Sequence, residues 1–388
     1  MPKHLQRISA IFANATRQIM TSVFGIITPF MVIHYFSKGI WGGFVPILLY
    51  TLMAIAVVNW GNKEFLLRKF SREPARINFD YSQNLFTRLP LLLLFSCLGF
   101  FCFPLYYGIF ILLWLTGRYL THTAEALIMY EKKFKASFWI ELSCFMVFCI
   151  LFYMVKQTPG LFPLLVIYSF YQFIRGGCFF ILFLRVFNRA ALKIDWSYYR
   201  DSLPFFLLSL LGLLASKADV YIINHYADRE TVANYQVING LLIFIMSIAS
   251  YMYAPFTKNI YRNNTEVVGK AKRLLIISGF LIIPIALVAV HYILKIFLHV
   301  EYSWFFYLVA FLYIYPAYGY GIEIVTLFKQ HQERKVTVYL FTGVLINILL
   351  SWILLRSGFG LIGVLSGSAF SQWLLLLFFR KKRLLKLQ

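Results

Sequence analysis

Residues 209–226 read SLLGLLASKADVYIINHY. The stretch is nearly long enough to cross a bilayer, which takes roughly 20 helical residues, and it is apolar except for a few polar groups. Two of those are a cation, Lys217, and an anion, Asp219, near the middle. In a soluble protein this run would be a core helix. In lipid, each central charge costs about 2.5–3.5 kcal/mol and needs a partner or a wet cavity. The rest of the chain decides between these solvents. Its 388 residues are 61% hydrophobic and 13% charged, with a mean hydropathy of +0.73. A water-soluble protein of this size could not cover so much apolar surface, so the composition is that of a polytopic membrane protein.

Apolar runs long enough to span recur at 9–35, 41–60, 84–105, 109–130, 136–155, 163–184, 203–226, 231–256, 274–294, 302–326, 337–355 and 361–379. They lack the ten-residue alternation of barrel strands, and inside lipid the backbone must satisfy itself, so they are expected to be helices. The basic residues set the orientation. With the N-terminus inside, the inner segments and tails hold 27 of the 37 Lys and Arg residues, including the terminal RKKRLLK (380–386). The outer loops hold only Lys38, Lys156, Arg229, Lys295 and Arg356. This asymmetry predicts a multi-pass protein with both termini cytoplasmic. The linker near 185–202 divides the chain into 1–192 and 193–388. The expected fold is therefore all-α, with twelve transmembrane helices in two six-helix bundles around a central cavity. A faint internal repeat supports two halves of the same orientation: VIHYFSKGIWGGF (32–44) and INHYADRETVANY (223–235) place a His-Tyr pair at the same point of a helical hairpin.

Several function classes find no support. The net charge of +22 lies in short clusters between apolar runs, with no stripe or motif for nucleic acid. The five cysteines sit in apolar runs without a C-x-x-C, which argues against a disulfide framework or a metal site. GFGLIG (358–363) matches a dinucleotide fingerprint, but it follows a membrane helix and no acidic residue comes after it. Its glycines read as a turn, followed by Gly363-x-x-x-Gly367 as a close-packing face. No nucleophile–base spacing or P-loop is present, no cofactor is expected, and a transporter fits better than an enzyme. The N-terminal run, with Arg17 inside it and no convincing cleavage site, reads as a retained first helix.

The charges inside the helices carry the most information. Arg88 is near a helix end and is expected to snorkel to the surface. Arg17, Arg118, Arg175 and Lys217 lie deeper. On helical spacing Arg17 shares a face with Asn14, Gln18 and Thr21; Arg118 with His122 and Glu125; Arg175 with Tyr168, Tyr171 and Gln172. Asp219 shares a face with Ser209, Gly212 and Ser216, whereas Lys217 is about 200° away around the helix. Structural pairing, such as Arg118 with Glu125, competes with a ligand role at each position. Four deep cations face few deep acids, however, and arginine suits bidentate phosphate recognition. The expected substrate site therefore comprises Arg17, Arg118, Arg175, Lys217, Asn14 and Gln172. Tyr320 joins it from YLVAFLYIYPAYGYGIE (307–323), where Pro316 and two glycines loosen a helix rich in tyrosine. Glu125, Asp219 and Glu323 are the expected coupling sites for H⁺ or Na⁺, because a buried carboxylate without full pairing has its charged form disfavoured.

Certain stretches resemble a known group. These are FANATRQIMTSVFGIITPFMVIHYFS (12–37), NWGNKEFLLRKFS (59–71), LPFFLLSLLGLLASKADVYIINHYADRETVANYQV (203–237), MYAPF (252–256) and GFGLIGVLSGSAFSQ (358–372). Together they are similar to the polysaccharide-transporter (Wzx-type O-antigen flippase) branch of the multidrug/oligosaccharidyl-lipid/polysaccharide exporter superfamily. Asp219 and Tyr235 match its helix-7 and helix-8 positions, whereas SKGIWGGFV (37–45) lacks the acidic residue usual in the first hairpin. The resemblance implies a flippase in the bacterial inner membrane for O-antigen, lipopolysaccharide, capsule or exopolysaccharide biosynthesis. Its substrate would be a lipid-linked oligosaccharide on polyprenyl pyrophosphate, moved between leaflets by alternating access. Surrounding membrane lipid and polysaccharide-assembly membrane proteins are the other expected partners. The alternatives are a cation-coupled multidrug or small-molecule antiporter of the same fold and, less well supported for want of a large outer loop, a membrane polysaccharide polymerase.

Overall fold

Every regular element in the computed structural model, which describes residues 3–253, 265–330 and 332–384, is helical. The first half of the chain forms α1 (Lys3–Tyr35), α2 (Lys38–Asn59), α3 (Asn62–Arg72), α4 (Ile77–Thr87), α5 (Leu89–Cys102), α6 (Leu105–Glu131), α7 (Phe134–Val155) and α8 (Leu161–Leu182). The second forms α9 (Trp196–Tyr226), α10 (Arg229–Tyr253), α11 (Thr265–Ile293), α12 (Trp304–Lys329), α13 (Glu333–Leu354) and α14 (Gly360–Leu384). Among the described residues, ten stretches are long and apolar enough to cross a membrane. The expected twelve differ from that count at two places. The stretch Glu333–Arg380 covers both α13 and α14, and α6, diluted by polar and charged residues, is not among the ten. Residues 254–256 of the 252–256 motif and residues 385–386 of the C-terminal basic cluster lie outside the described residues.

The chain divides into two compact units, Met1–Ile27 with Tyr35–Leu210, and Thr28–His34 with Leu211–Gln388. The division runs within α1 next to Pro29 and within α9, beyond the linker position 192/193 read from the sequence. The start of α9 is tied to the first unit. Trp60 and Gly61 take left-handed conformations (φ 44° and 65°), and a Cβ on Gly61 would lie 2.6 Å from the Phe205 backbone. The Trp60 ring stacks on Phe206 at 3.9 Å, and its indole N–H donates to the Tyr199 carbonyl at 3.0 Å.

The repeat seen in the sequence is a repeat of helix caps. Ser37 accepts from the Ile40 amide at 3.1 Å and opens α2. At the same offset after its own His-Tyr pair, Asp228 accepts from the amides of Glu230 (3.0 Å) and Thr231 (3.1 Å) and opens α10. Each side chain satisfies backbone donors that the first helical turn leaves unpaired. In the second unit the glycine face expected after the turn is present. Gly358 adopts φ 86°, and a Cβ on Gly367 would lie 2.6 Å from Ser351 of α13.

Candidate functional site

The deep charges form one cluster in each unit. In the first unit, α6 and α8 meet through glycine. A Cβ on Gly117 would fall 2.1 Å from the Gln172 carbonyl oxygen, and one on Gly176 would fall 2.3 Å from that of Gly117. Only bare backbone permits this approach. It brings the sequence neighbours of those glycines, Arg118 and Arg175, within reach of each other's charge. Arg175 donates to Glu141 of α7 at 2.5 Å and to Gln172 at 3.3 Å, in a pair almost sealed from solvent. One turn earlier on α7, Ser137 accepts from Arg17 at 3.2 Å. Arg17 Nε, Arg175 Nε, Glu141 Oε2 and Asn14 Oδ1 are buried without a hydrogen-bond partner among the described residues.

Arg118 differs from these. The competing alternative, a pair with Glu125, is not formed among the described residues: Glu125 lies 3.5 Å from His122 Nδ1 and 4.0 Å from Lys63 Nζ. Among the described residues Arg118 is half-buried with no hydrogen bond and no ion pair. The groups acting on it are Arg175, Tyr168, Glu125 and Tyr171. Among the described residues Lys63 and three arginines thus stand against the carboxylates Glu125, Glu141 and Glu64. The cluster carries excess positive charge in a region where water is scarce.

Arg88 corrects the sequence reading. It does not snorkel but is fully buried, donating to Asn84 (3.0 Å), Thr123 (2.7 Å) and the Val58 carbonyl (3.4 Å), with its guanidinium over the Tyr119 ring at 5.0 Å. Fixed acceptors and an aromatic face replace the headgroup region as its solvent.

In the second unit Lys217 and Asp219, set about 200° apart by helical spacing, nevertheless converge on one residue. Asn239 of α10 accepts from Lys217 Nζ at 2.6 Å through Oδ1, and its Nδ2 donates to Asp219 Oδ2 at 3.1 Å. Asp219 also accepts from the Tyr235 hydroxyl at 2.7 Å and the Val220 amide at 2.8 Å. Asp219, Tyr235 and Asn239 are each at most 2% exposed. Cation, amide, carboxylate and phenol form one charge-neutral network. Glu323 is paired with Lys272 of α11. Tyr320 donates to Gln372 at 2.6 Å.

The structure therefore gathers Asn14, Arg17, Arg118, Glu125, Gln172 and Arg175 in one unit, and Lys217, Asp219, Tyr320 and Glu323 in the other. Sequence reasoning missed Asn239, although Tyr235 and Asn239 form an i, i+4 polar pair on the otherwise apolar α10. It also missed Lys63 and Lys272 as partners, because both lie in segments taken as connections.

No family model and no curated protein sequence matches the chain. Solved structures do match its fold. An inward-facing multidrug resistance MATE family transporter of the MOP superfamily aligns with a TM-score of 0.67 at 12% identity, covering 94% of each chain. The lipid II flippase MurJ in an inward closed conformation aligns at 0.66 and 12% identity, over 95% of this chain and 86% of MurJ. A MOP superfamily transporter from Pyrococcus furiosus, described as having a binding pocket of reverse polarity, aligns at 0.64 and 12% identity, over 97% and 95%. The chain thus has the fold of MATE transporters and MurJ, at identities that speak to fold alone.

Proposed function

We propose that this protein is a flippase that carries a polyprenyl-pyrophosphate-linked oligosaccharide across a bacterial inner membrane, for assembly of a surface polysaccharide such as O-antigen. In this reading twelve membrane helices form two six-helix bundles that alternate access, with both termini cytoplasmic and with contacts to polysaccharide-assembly proteins. Arg17, Arg118, Arg175, Lys217, Asn14, Gln172 and Tyr320 serve the substrate. Glu125, Asp219 and Glu323 serve coupling to H⁺ or Na⁺.

The observation that carries the proposal is Arg118, a half-buried guanidinium without a counter-ion among the described residues and beside a second arginine. Such a charge is costly in a membrane unless an anion comes to it. A pyrophosphate stripped of water needs fixed cations in return. Tyr168 and Tyr171 beside Arg118 add hydroxyls and ring faces. A cation-coupled drug antiporter fits less well, because a cationic or neutral drug would bring no counter-charge to Arg118 and Arg175.

The test is glycan display in cells, together with mass spectrometry of lipids extracted from the purified protein. Arg118→Ala at normal expression should abolish display and remove the co-purifying lipid-linked glycan. Arg118→Lys should restore part of both, because the ammonium keeps the charge and loses the fork. Unchanged display and lipid content in Arg118→Ala would overturn the reading.

A further inference from the structure

A cavity of about 550 Å³ in the second unit belongs to neither cluster and lies between α11 and α12. Its size falls within the range of small-molecule sites. Leu287 and Pro284 form its apolar floor, and Tyr292, Tyr302, Trp304 and Tyr307 ring it near the helix ends. Its rim is open on the outer surface of the helices: Trp304 is 76% exposed, Tyr292 and Val288 are each 57% exposed, and neighbouring Ile285 is likewise exposed. Residues of this kind on a membrane helix face lipid, so a ligand reaches the cavity from the bilayer. The polar groups are few. His291 Nδ1 and the Tyr307 hydroxyl are 3.1 Å apart inside the cavity wall.

In the connection beyond the end of α11, Lys295 and Glu301 form an exposed ion pair at 2.8 Å. Glu301 is close enough to act electrostatically on both His291 and Tyr307. Its hydrogen bond with Lys295 holds the carboxyl below the usual range, so it is ionised at neutral pH. An interfacial aromatic belt would explain scattered Trp and Tyr. It does not explain a hollow with one cation and one anion beside it.

From this arrangement we infer that the cleft binds a zwitterionic membrane phospholipid. The headgroup phosphate meets Lys295, the ammonium meets Glu301 and the aromatic faces, and a chain lies on the apolar floor. The charge pattern selects the class. A single ammonium is complemented by a carboxylate and ring faces, and a phosphate by the amine. An anionic headgroup without an ammonium would satisfy Lys295 and leave Glu301 facing negative charge.

The experiment uses the full chain in detergent, loaded from mixed vesicles of dioleoyl phosphatidylethanolamine and dioleoyl phosphatidylglycerol. Native mass spectrometry then reads the lipids retained. The ethanolamine lipid should be retained about tenfold over the glycerol lipid, the ratio expected of one cation–π contact plus one charge-assisted contact. Glu301→Gln should erase the preference and Trp304→Leu should lower total retention. Arg200→Gln, at an exposed side chain away from the cleft, should retain most of both and serves as a folded control. Replacing the ethanolamine lipid by its phosphatidylcholine analogue should preserve the preference, since the quaternary ammonium also stacks on aromatic faces. Equal retention of the two lipids by the unaltered protein, or a preference unmoved by Glu301→Gln, would overturn the inference.

Discussion

The two charged clusters use the same residue types to opposite ends. In the second unit Lys217, Asn239, Asp219 and Tyr235 close on one another, and nearly every charged atom finds a partner. In the first unit Arg175 and Glu141 pair, but among the described residues Arg118 has no ion pair and several buried atoms lack hydrogen-bond partners. A membrane protein retains such an imbalance only at a cost. The balanced cluster is therefore expected to contribute the more to stability beside its part in transport, and the unbalanced one to dominate binding.

Stability measurements can break that contrast. The largest effect should come from Glu141→Ala, which strands Arg175 in a dry site. Losing one partner of a buried pair costs about 3–5 kcal/mol, and chemical unfolding in detergent should show it. Adding Arg175→Met should recover most of the loss, and failure to recover would mean the pair is more than mutual neutralisation. Next comes Asn239→Leu, which removes the shared partner of Lys217 and Asp219 and should cost about 1–3 kcal/mol by the same assay. A neutral result would show that the second network is not the structural one.

A smaller effect belongs to the caps. Asp228→Ala should cost about 1 kcal/mol by thermal unfolding. Hydrogen bonds from Thr231 and Glu230 hold the Asp228 carboxyl below its usual value. Its contribution is therefore complete above the unfolded-state value and fades as pH falls through the folded one. The difference in melting temperature between the unaltered protein and Asp228→Ala should shrink on acidification. The smallest effect should be Arg118→Met. With no partner to strand, it should leave unfolding unchanged or raise stability slightly, while display is lost. A loss as large as that of Glu141→Ala would place Arg118 in the structural class and end the contrast.

Much of this was legible in the chain. Length and hydropathy located the helices, and the offset of Ser37 and Asp228 after their His-Tyr pairs foretold equivalent caps. The polar stripes correctly grouped Gln172 with Arg175 because both lie on one helix, where 3.6-residue periodicity governs. Partners on other helices stayed hidden. The pairing of Glu141 with Arg175 depends on α7 meeting α8. The freedom of Arg118 follows from Lys63 and His122 occupying Glu125, which spacing along α6 cannot reveal. Arg88 misled for a related reason: its acceptors, Val58, Asn84 and Thr123, come from three different elements. The glycines Gly117 and Gly176, 59 positions apart in sequence numbering, set the spacing of the arginines without any local signature.

The anchoring of α9 at Trp60 and Gly61 bears on how the chain is made. The first unit draws on residues as late as Leu210. During synthesis its Trp60 ring waits for Phe206, and its Gly61 surface for Phe205, until the ribosome has passed the linker and begun the seventh long apolar run. The unit cannot finish folding when its sixth such run emerges. Insertion of the next helix and completion of the first unit become a single event in biogenesis, and a chain released at the linker would leave an aromatic face for quality-control proteases to find.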